Sequence, residues 1–161
     1  MNRKLHIKRR VGADEFTTMI NEGRGKIENI FLQGENPQHA NMSTTTFVNC
    51  GFVGVEMSGF DLSVCTFIDC EFTGVNLEGV QADRLRLLRC KLTGVCLTKA
   101  RLTNIVIDGG SWSAVDLVEA CLDGASLRRQ LNLMGVNFDR VSKVAVDIEQ
   151  SVRMTAVQNL P

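Results

Sequence analysis

The chain has 161 residues, a length that suits one domain with a substantial buried core. Its 18 Lys and Arg residues balance 18 Asp and Glu residues, which argues against a generally basic nucleic-acid-binding protein and against a strongly acidic one. No apolar run approaches the roughly eighteen residues of a membrane span, and no secretory signal follows the basic start, so a cytoplasmic location is expected.

The first 24 residues are predicted to form an arm and a capping helix. Residues 5–11 alternate between apolar and basic side chains, which suits an edge strand whose charges discourage pairing with other chains. The arm is interpreted as solvated, with a contact to nucleic acid or acidic lipid as the alternative. Its basic residues are Arg3, Lys4, His6, Lys8, Arg9 and Arg10. Residues 14–22 predict a short helix with Phe16, Met19 and Ile20 on one face.

One eight-residue phrase recurs at a spacing of twenty residues in the centre of the chain. It reads CGFVGVEM at 50–57, CEFTGVNL at 70–77 and CKLTGVCL at 90–97, and GSWSAVDL follows at 110–117. From Ile27 onwards a large apolar residue falls on nearly every fifth position, usually with a smaller apolar or thiol residue two places before it. A sustained period of five fits neither a helix nor a strand. Five residues are therefore predicted to form one side of a repeating turn structure.

This pattern resembles the pentapeptide-repeat family, whose consensus is A-(D/N)-L-x-x. The matching triplets are Ala40-Asn41-Met42, Val75-Asn76-Leu77, Val115-Asp116-Leu117, Val136-Asn137-Phe138 and Val146-Asp147-Ile148. The resemblance implies an all-β fold, a right-handed quadrilateral β-helix of about six coils with a short N-terminal helical cap. Residues twenty apart then stack about 4.8 Å apart. The predicted divisions are an arm and helix at 1–24, the β-helix at 25–148 and a C-terminal cap or dimerisation tail at 149–161.

The interior of such a β-helix is predicted to be filled by stacked side chains, with no room for a cofactor. Cys50, Cys70 and Cys90 form one inward column, and Gly110 is interpreted as making room for the large Trp112 in its layer. Without a C-x-x-C motif or clustered His residues, the six cysteines are interpreted as reduced structural thiols rather than metal ligands. The two cysteines at outward positions are Cys96 and Cys121.

Three irregularities interrupt the five-residue count. Glu35 and Pro37 occupy inward positions, so side 35–39 is predicted to bulge outward or to form a loop after Gly34. One extra residue within 128–132 predicts a bulge that turns Arg128 and Arg129 outward. The five-residue repeat is then predicted to fail at Arg153. The tail offers a candidate homodimer surface, consisting of Val152, Met154, Val157 and Leu160.

The outward charges separate along the chain into two belts. The acidic belt consists of Glu56, Asp61, Asp69, Glu71, Glu78 and Asp83. The basic belt consists of Arg84, Arg86, Arg89, Lys91, Lys99 and Arg101. Attraction between the belts across adjacent coils is one interpretation, and docking of a partner is the other. The candidate partner-binding residues are Glu56, Asp61, Asp69, Glu71, Arg84, Arg86, Arg89 and Lys91, together with Arg128 and Arg129.

The sequence predicts a non-enzymatic protein–protein interaction module whose partner protein it does not identify. It lacks a Gly-rich phosphate loop and paired carboxylates in a plausible cleft, and His6 and His39 both lie outside the regular coils. Nucleic acid is not an expected partner.

The family resemblance implies two alternatives. The first is a DNA-mimicking binder that inhibits or protects a type II topoisomerase such as gyrase, and the second is a secreted bacterial effector. A DNA mimic needs about three net negative charges per coil, since DNA carries one per roughly 1.7 Å. Residues 25–148 hold 14 acids and 11 bases, a net of three for all coils together, which argues against mimicry.

Overall fold

A computed structural model describes residues 8–23, 25–38, 40–129 and 131–159. In these ranges the chain forms one helix, α1 at Ala13–Asn21, and a parallel sheet of 13 strands. The strands are β1 Arg9–Arg10, β2 Lys26–Glu28, β3 Ile30–Gln33, β4 Thr46–Val48, β5 Gly51–Val53, β6 Thr66–Ile68, β7 Glu71–Thr73, β8 Arg86–Thr93, β9 Val106–Ser113, β10 Ser126–Arg128, β11 Asn132–Met134, β12 Asp147–Ile148 and β13 Arg153–Thr155. No helix in the described ranges is long and apolar enough to cross a membrane.

The strands build two neighbouring sides of a rod. Face A runs from β2 through β4, β6 and the starts of β8 and β9 to β10 and β12. Face B runs from β1 through β3, β5, β7 and the ends of β8 and β9 to β11 and β13. The long strands β8 and β9 turn the corner between the two faces, so both faces belong to one continuous sheet.

Two further sides are joined by single β-bridges instead of strands. On face C the bridges connect Glu56, Asn76, Cys96, Asp116, Asn137 and Gln158. On face D they connect Asp61, Gln81, Arg101, Cys121 and Ser142. Paired residues on all four faces lie twenty or twenty-one apart, which confirms the predicted four-sided β-helix. It has about seven turns, one more than the sequence pattern predicts.

The N-terminal segment closes one end of the rod. β1 pairs with β3, and Arg9 forms an ion pair with Glu15 at the start of α1. The helix buries Phe16 and Ile20, and the Phe16 ring lies 6.2 Å from Phe47 and 6.1 Å from Phe52 between ring centres. The predicted helical cap is therefore confirmed. The predicted arm is described only from Lys8 onwards, and Arg3, Lys4 and His6 lie outside the described residues.

Stacked columns of apolar side chains fill the rod. The rings of Phe47 and Phe67 stack with centres 4.7 Å apart, and those of Phe52 and Phe72 stack at 5.0 Å. Trp112 is buried in the Phe52 column with its indole N–H unpaired. It borders a void of about 20 Å³, enough for one water molecule.

The loop at 35–38 stays against the rod. It has no strand, yet the Glu35 carbonyl accepts a hydrogen bond from the Glu56 amide at 3.2 Å, and Pro37 is buried. The chain therefore takes the loop alternative of the prediction and does not bulge outward at Pro37.

The predicted failure of the frame at Arg153 is wrong. β13 pairs in register with β11, which stacks Met154 on Leu133, and Gln158 bridges to Asn137. The six-residue spacing between Leu127 and Leu133 recurs between Ile148 and Met154. The one-residue insertion is thus copied into the next coil, so residues 149–159 continue the rod.

Candidate interaction surfaces

The acids on faces C and D are held by short local hydrogen bonds. Glu56 accepts the Ser58 amide at 2.9 Å and the Asn76 side-chain amide at 3.0 Å. These bonds, first those from Ser58, hold the pKa of Glu56 below its ordinary value. Asp61 accepts the Ser63 amide at 2.9 Å. Both carboxylates stabilise their own turns, which reduces what they can offer a partner.

One bidentate pair joins the two belts. Arg89 donates Nε–H and one terminal N–H to the two carboxylate oxygens of Asp69, each at 2.7 Å, across adjacent coils. The pair lies at the corner between faces A and B, with Asp69 49% and Arg89 61% exposed. The guanidinium holds the pKa of Asp69 below its ordinary value. Attraction between the belts across coils is therefore real at this position.

Asp83 lies at the centre of a second network between coils. It accepts the Thr103 hydroxyl at 2.7 Å, the Asn104 amide at 3.3 Å and Arg84 Nε–H at 3.0 Å. Hydrogen bonds from Thr103 and Asn104 are the main reason that the pKa of Asp83 is lowered. In the sequence, only the spacing of Asp83 from Thr103 (twenty residues) and from Asn104 (twenty-one residues) indicates these contacts.

Glu71 pairs with Lys8, whose ammonium lies 3.6 Å from its carboxylate. Lys8 thereby lies along face B, beside Phe31 and Gly51, instead of extending into solvent. The described part of the predicted arm therefore belongs to the rod.

Only part of the basic belt takes part in the ion pairs of the described residues. Within the described residues, four of its members form no ion pair, namely Arg86, Lys91, Lys99 and Arg101. All four are exposed. Arg86 lies on face A, Lys91 on face B, Lys99 at the corner after face C and Arg101 on face D. Together they surround one coil.

Arg128 and Arg129 point outward as predicted, but local partners bind them. Arg128 donates to the Ser126 hydroxyl at 2.6 Å and lies 3.8 Å from Asp147. Arg129 lies 3.2 Å from Asp108, and its amide donates to Glu149 at 3.1 Å. Their main visible role is to hold the one-residue insertion in place.

The C-terminal end of the rod exposes part of its core. Ile148 occupies an inward position in the last coil and is 37% exposed. Val152, Met154 and Val157 are half-buried, and within the described part of the chain β12 pairs with β10 alone and β13 with β11 alone. Leu160, the fourth predicted dimerisation residue, lies outside the described residues.

The column formed by Cys50, Cys70 and Cys90 lies inside the rod, and Cys65 is buried on another side. Cys50, Cys65, Cys70 and Cys90 are buried and unpaired by disulfides, and burial raises the pKa of the Cys65 thiol to about 12. Cys96 and Cys121 are half-buried at the surface. No three or more His, Cys, Asp or Glu side chains of the described ranges are arranged to hold a metal ion.

A surface column on face A was missed by the sequence analysis. Val48, Ile68 and Leu88 stack in register, point outward and are half-buried. In the sequence this column is visible as an apolar residue directly after each of the inward residues Phe47, Phe67 and Leu87, recurring every twenty residues.

The comparisons with known proteins agree with this geometry. A model of the family described as pentapeptide repeats matches residues 70–109 with 8 copies of the repeat. No curated protein matches the chain.

Several solved structures are similar to this chain. A trypsin-treated QnrB1, a plasmid-mediated fluoroquinolone resistance protein, is 16% identical over 78% of this chain and 82% of its own, with a TM-score of 0.51. A pentapeptide repeat protein from the cyanobacterium Cyanothece 51142 is 15% identical over 88% and 99%, with a TM-score of 0.45. HetL, involved in heterocyst differentiation regulation in Nostoc sp. strain PCC 7120, is 12% identical over 92% of each chain, with a TM-score of 0.46.

Proposed function

Since the chain belongs to the pentapeptide-repeat family, we propose that it is a non-enzymatic interaction module whose outer faces bind another protein. The filled interior carries this proposal. Side chains occupy the axis of the rod, so the features that a partner can recognise lie on its four outer faces.

The unpaired bases support a partner with an acidic surface. Glu56, Asp69 and Asp83 are engaged within the rod, whereas Arg86, Lys91, Lys99 and Arg101 form no ion pair among the described residues. Charges without an internal partner keep their full attraction for a complementary surface, and this attraction weakens as salt screens it. A partner that spans faces A and B of this coil would contact Arg86 and Lys91 together.

Capture of partners from a bacterial lysate on the immobilised protein tests the proposal. The wild-type chain should retain a defined protein that is released as salt increases. The double variant Arg86→Glu/Lys91→Glu should lose it. Arg140→Glu is the matched control, because Arg140 already pairs with Glu119 at 3.0 Å and lies outside the basic belt. Equal capture by both variants, or a measurable catalytic turnover without any captured protein, would contradict the proposal.

The topoisomerase alternative has less support from the same surface. A DNA mimic should present an unbroken negative surface, yet unpaired bases surround one coil and the pairs Asp69–Arg89 and Asp83–Arg84 cancel charge beside it. A supercoiling assay with purified gyrase is expected to show no inhibition and no protection by this protein. Either effect would favour the alternative.

The exposed C-terminal end supports a homodimer as part of the proposal. Two copies that meet end to end would cover Ile148 and the unpaired edges of β12 and β13 symmetrically.

A further inference from the structure

Face A carries an outward column that its own fold does not need. The parallel register aligns its members in the order Glu28, Val48, Ile68, Leu88, Asp108 and Arg128. Phe47, Phe67 and Leu87 point inward between them and already fill the core. The corresponding column on face B is more polar, with Gln33, Val53, Thr73, Thr93, Ser113 and Met134. Three consecutive apolar side chains therefore mark face A as an unpartnered surface.

The charges around this apolar centre are self-complementary. Glu28 stands at one end of the column and Arg128 at the other, while Asp69 and Arg89 flank the centre on adjacent coils. A two-fold axis along the strand direction, placed between Ile68 and Leu88, turns one copy antiparallel to the other. It sets Ile68 over Leu88, Asp69 over Arg89 and Glu28 over Arg128, and each of these contacts occurs twice.

We propose that face A is the interface of an antiparallel, side-by-side homodimer of this chain. The opposite orientation, with parallel rods, would place Leu88 over Arg86 and Asp108 over Val106 and would lose the contact between Asp69 and Arg89. The antiparallel dimer places Val48 over Asp108, whose carboxylate is already bound by Arg129 at 3.2 Å. This interface does not involve the C-terminal end and does not depend on binding of another protein.

The size of the face sets the expected affinity. Six coils of about 4.8 Å and a side of four to five residues give a contact of roughly 29 Å by 13 Å, or on the order of 1,000 Å² buried in total. This lies near the lower limit of specific interfaces. The dimer should therefore dissociate in the micromolar range or above, and more readily at high salt.

Cross-linking between two variants that each present one introduced surface cysteine, with Cys50, Cys65, Cys70 and Cys90 remaining buried, tests both the face and the orientation. In a background with Cys96→Ser and Cys121→Ser, Val48→Cys and Asp108→Cys are made as separate proteins. A short bismaleimide should link the mixed pair into a dimer. Neither protein alone should be linked, because the two copies of position 48 then lie about 14 Å apart along the rod. Linking of either protein alone, or failure to link the mixture, would overturn the arrangement; an end-to-end dimer would also leave the mixture unlinked.

Sedimentation equilibrium across a concentration series tests the energetics separately. In a background with Ile148→Lys, which removes any end-to-end dimer, Ile68→Asp should abolish the concentration-dependent increase in mass. Val53→Asp should retain it, since Val53 is a half-buried outward residue of the same kind on face B. Thermal unfolding of both variants checks that each still folds. A wild-type protein that stays monomeric throughout, or an equal loss in both variants, would refute the proposal.

Discussion

At the scale of single residues, Gly110 has a structural role different from the predicted one. It adopts φ +93°, and an added Cβ would lie 2.1 Å from the carbonyl oxygen of Cys90 in the coil below. The glycine is therefore required by backbone conformation and by close approach between coils, and not by the size of Trp112 as the sequence suggested. Sequence spacing shows which residues stack but not how closely their backbones approach.

Gly110→Ala is expected to lower the free energy of unfolding by about 3 kcal/mol or more, because the methyl group meets backbone atoms that cannot move aside. Urea denaturation measures the change. Gly54→Ala is the matched control, with φ +57° and no atom within 4 Å of the added Cβ. Its cost should be about 1 kcal/mol, since alanines occupy the corresponding corner at Ala114 and Ala156. An equal loss of unfolding free energy in Gly110→Ala and Gly54→Ala would show that the close contact with Cys90 is unimportant.

The pair Asp69–Arg89 predicts a pH dependence. The folded pKa of Asp69 lies below its ordinary value of 3.8, so its contribution to stability is complete above that pH. The contribution is lost as the pH falls through the lower folded pKa. Because both side chains are largely exposed, Asp69→Asn should cost about 0.5 kcal/mol at neutral pH.

Urea denaturation of wild type and Asp69→Asn over a range of pH measures this difference. The two curves should converge in acid, separate as the pH rises through the folded pKa of Asp69, and be fully separated above pH 3.8. Asp61→Asn provides the comparison, since Asp61 accepts a backbone amide and no ion pair involves it among the described residues. A constant difference between wild type and Asp69→Asn at every pH would contradict the assigned role of the ion pair.

At the scale of elements, α1 stabilises the rod through one inserted ring. Phe16 is fully buried and contacts Phe47 and Phe52, so the helix seals the first coils and does not merely cover them. The helical spacing of Phe16 and Ile20 predicted the buried face correctly. It could not reveal which coil would receive the ring, because that depends on how the open end of the rod is shaped.

Phe16→Ala is expected to lower the free energy of unfolding by about 3–5 kcal/mol, because it leaves a cavity between the helix and the aromatic columns. Since coils contact only their neighbours, hydrogen exchange should accelerate in α1 and the first coils and less in β9 to β11. Thr18→Ala, an exposed change on the same helix, should leave the exchange pattern nearly unaltered. Uniform acceleration along the rod would instead indicate fully cooperative opening.

At the scale of the whole molecule, the two ends of the rod differ. α1 closes the N-terminal end, whereas the C-terminal end leaves Ile148 partly exposed and two strands unpaired on one side. Association through that end would be additional to association through the apolar column of face A, which lies at Val48, Ile68 and Leu88.

Ile148→Lys should remove any end-to-end dimer, because a buried ammonium without a partner is costly. Light scattering after gel filtration measures the mass. Val144→Lys is the control, since Val144 is 69% exposed in the same coil but points away from the core. If both variants keep the same mass as wild type, the end does not mediate association.

The sequence by itself determined the repeat of this protein and the side chains that face inward. The five-residue period predicts one side of a repeating turn structure, and the phrase that recurs every twenty residues supports the four sides that the resemblance to pentapeptide repeats implies. It also placed Cys50, Cys70 and Cys90 in one column, Phe52 next to Phe72, and Arg128 and Arg129 outside.

The tertiary structure alone decided how the coils meet. It carried the insertion after Leu127 into the following coil and engaged the acids of one coil with the donors of the next. Among the described residues it left Arg86, Lys91, Lys99 and Arg101 without an ion pair. It also exposed the apolar column on face A. These features depend on distances and side-chain directions between residues twenty apart, and a linear pattern contains neither.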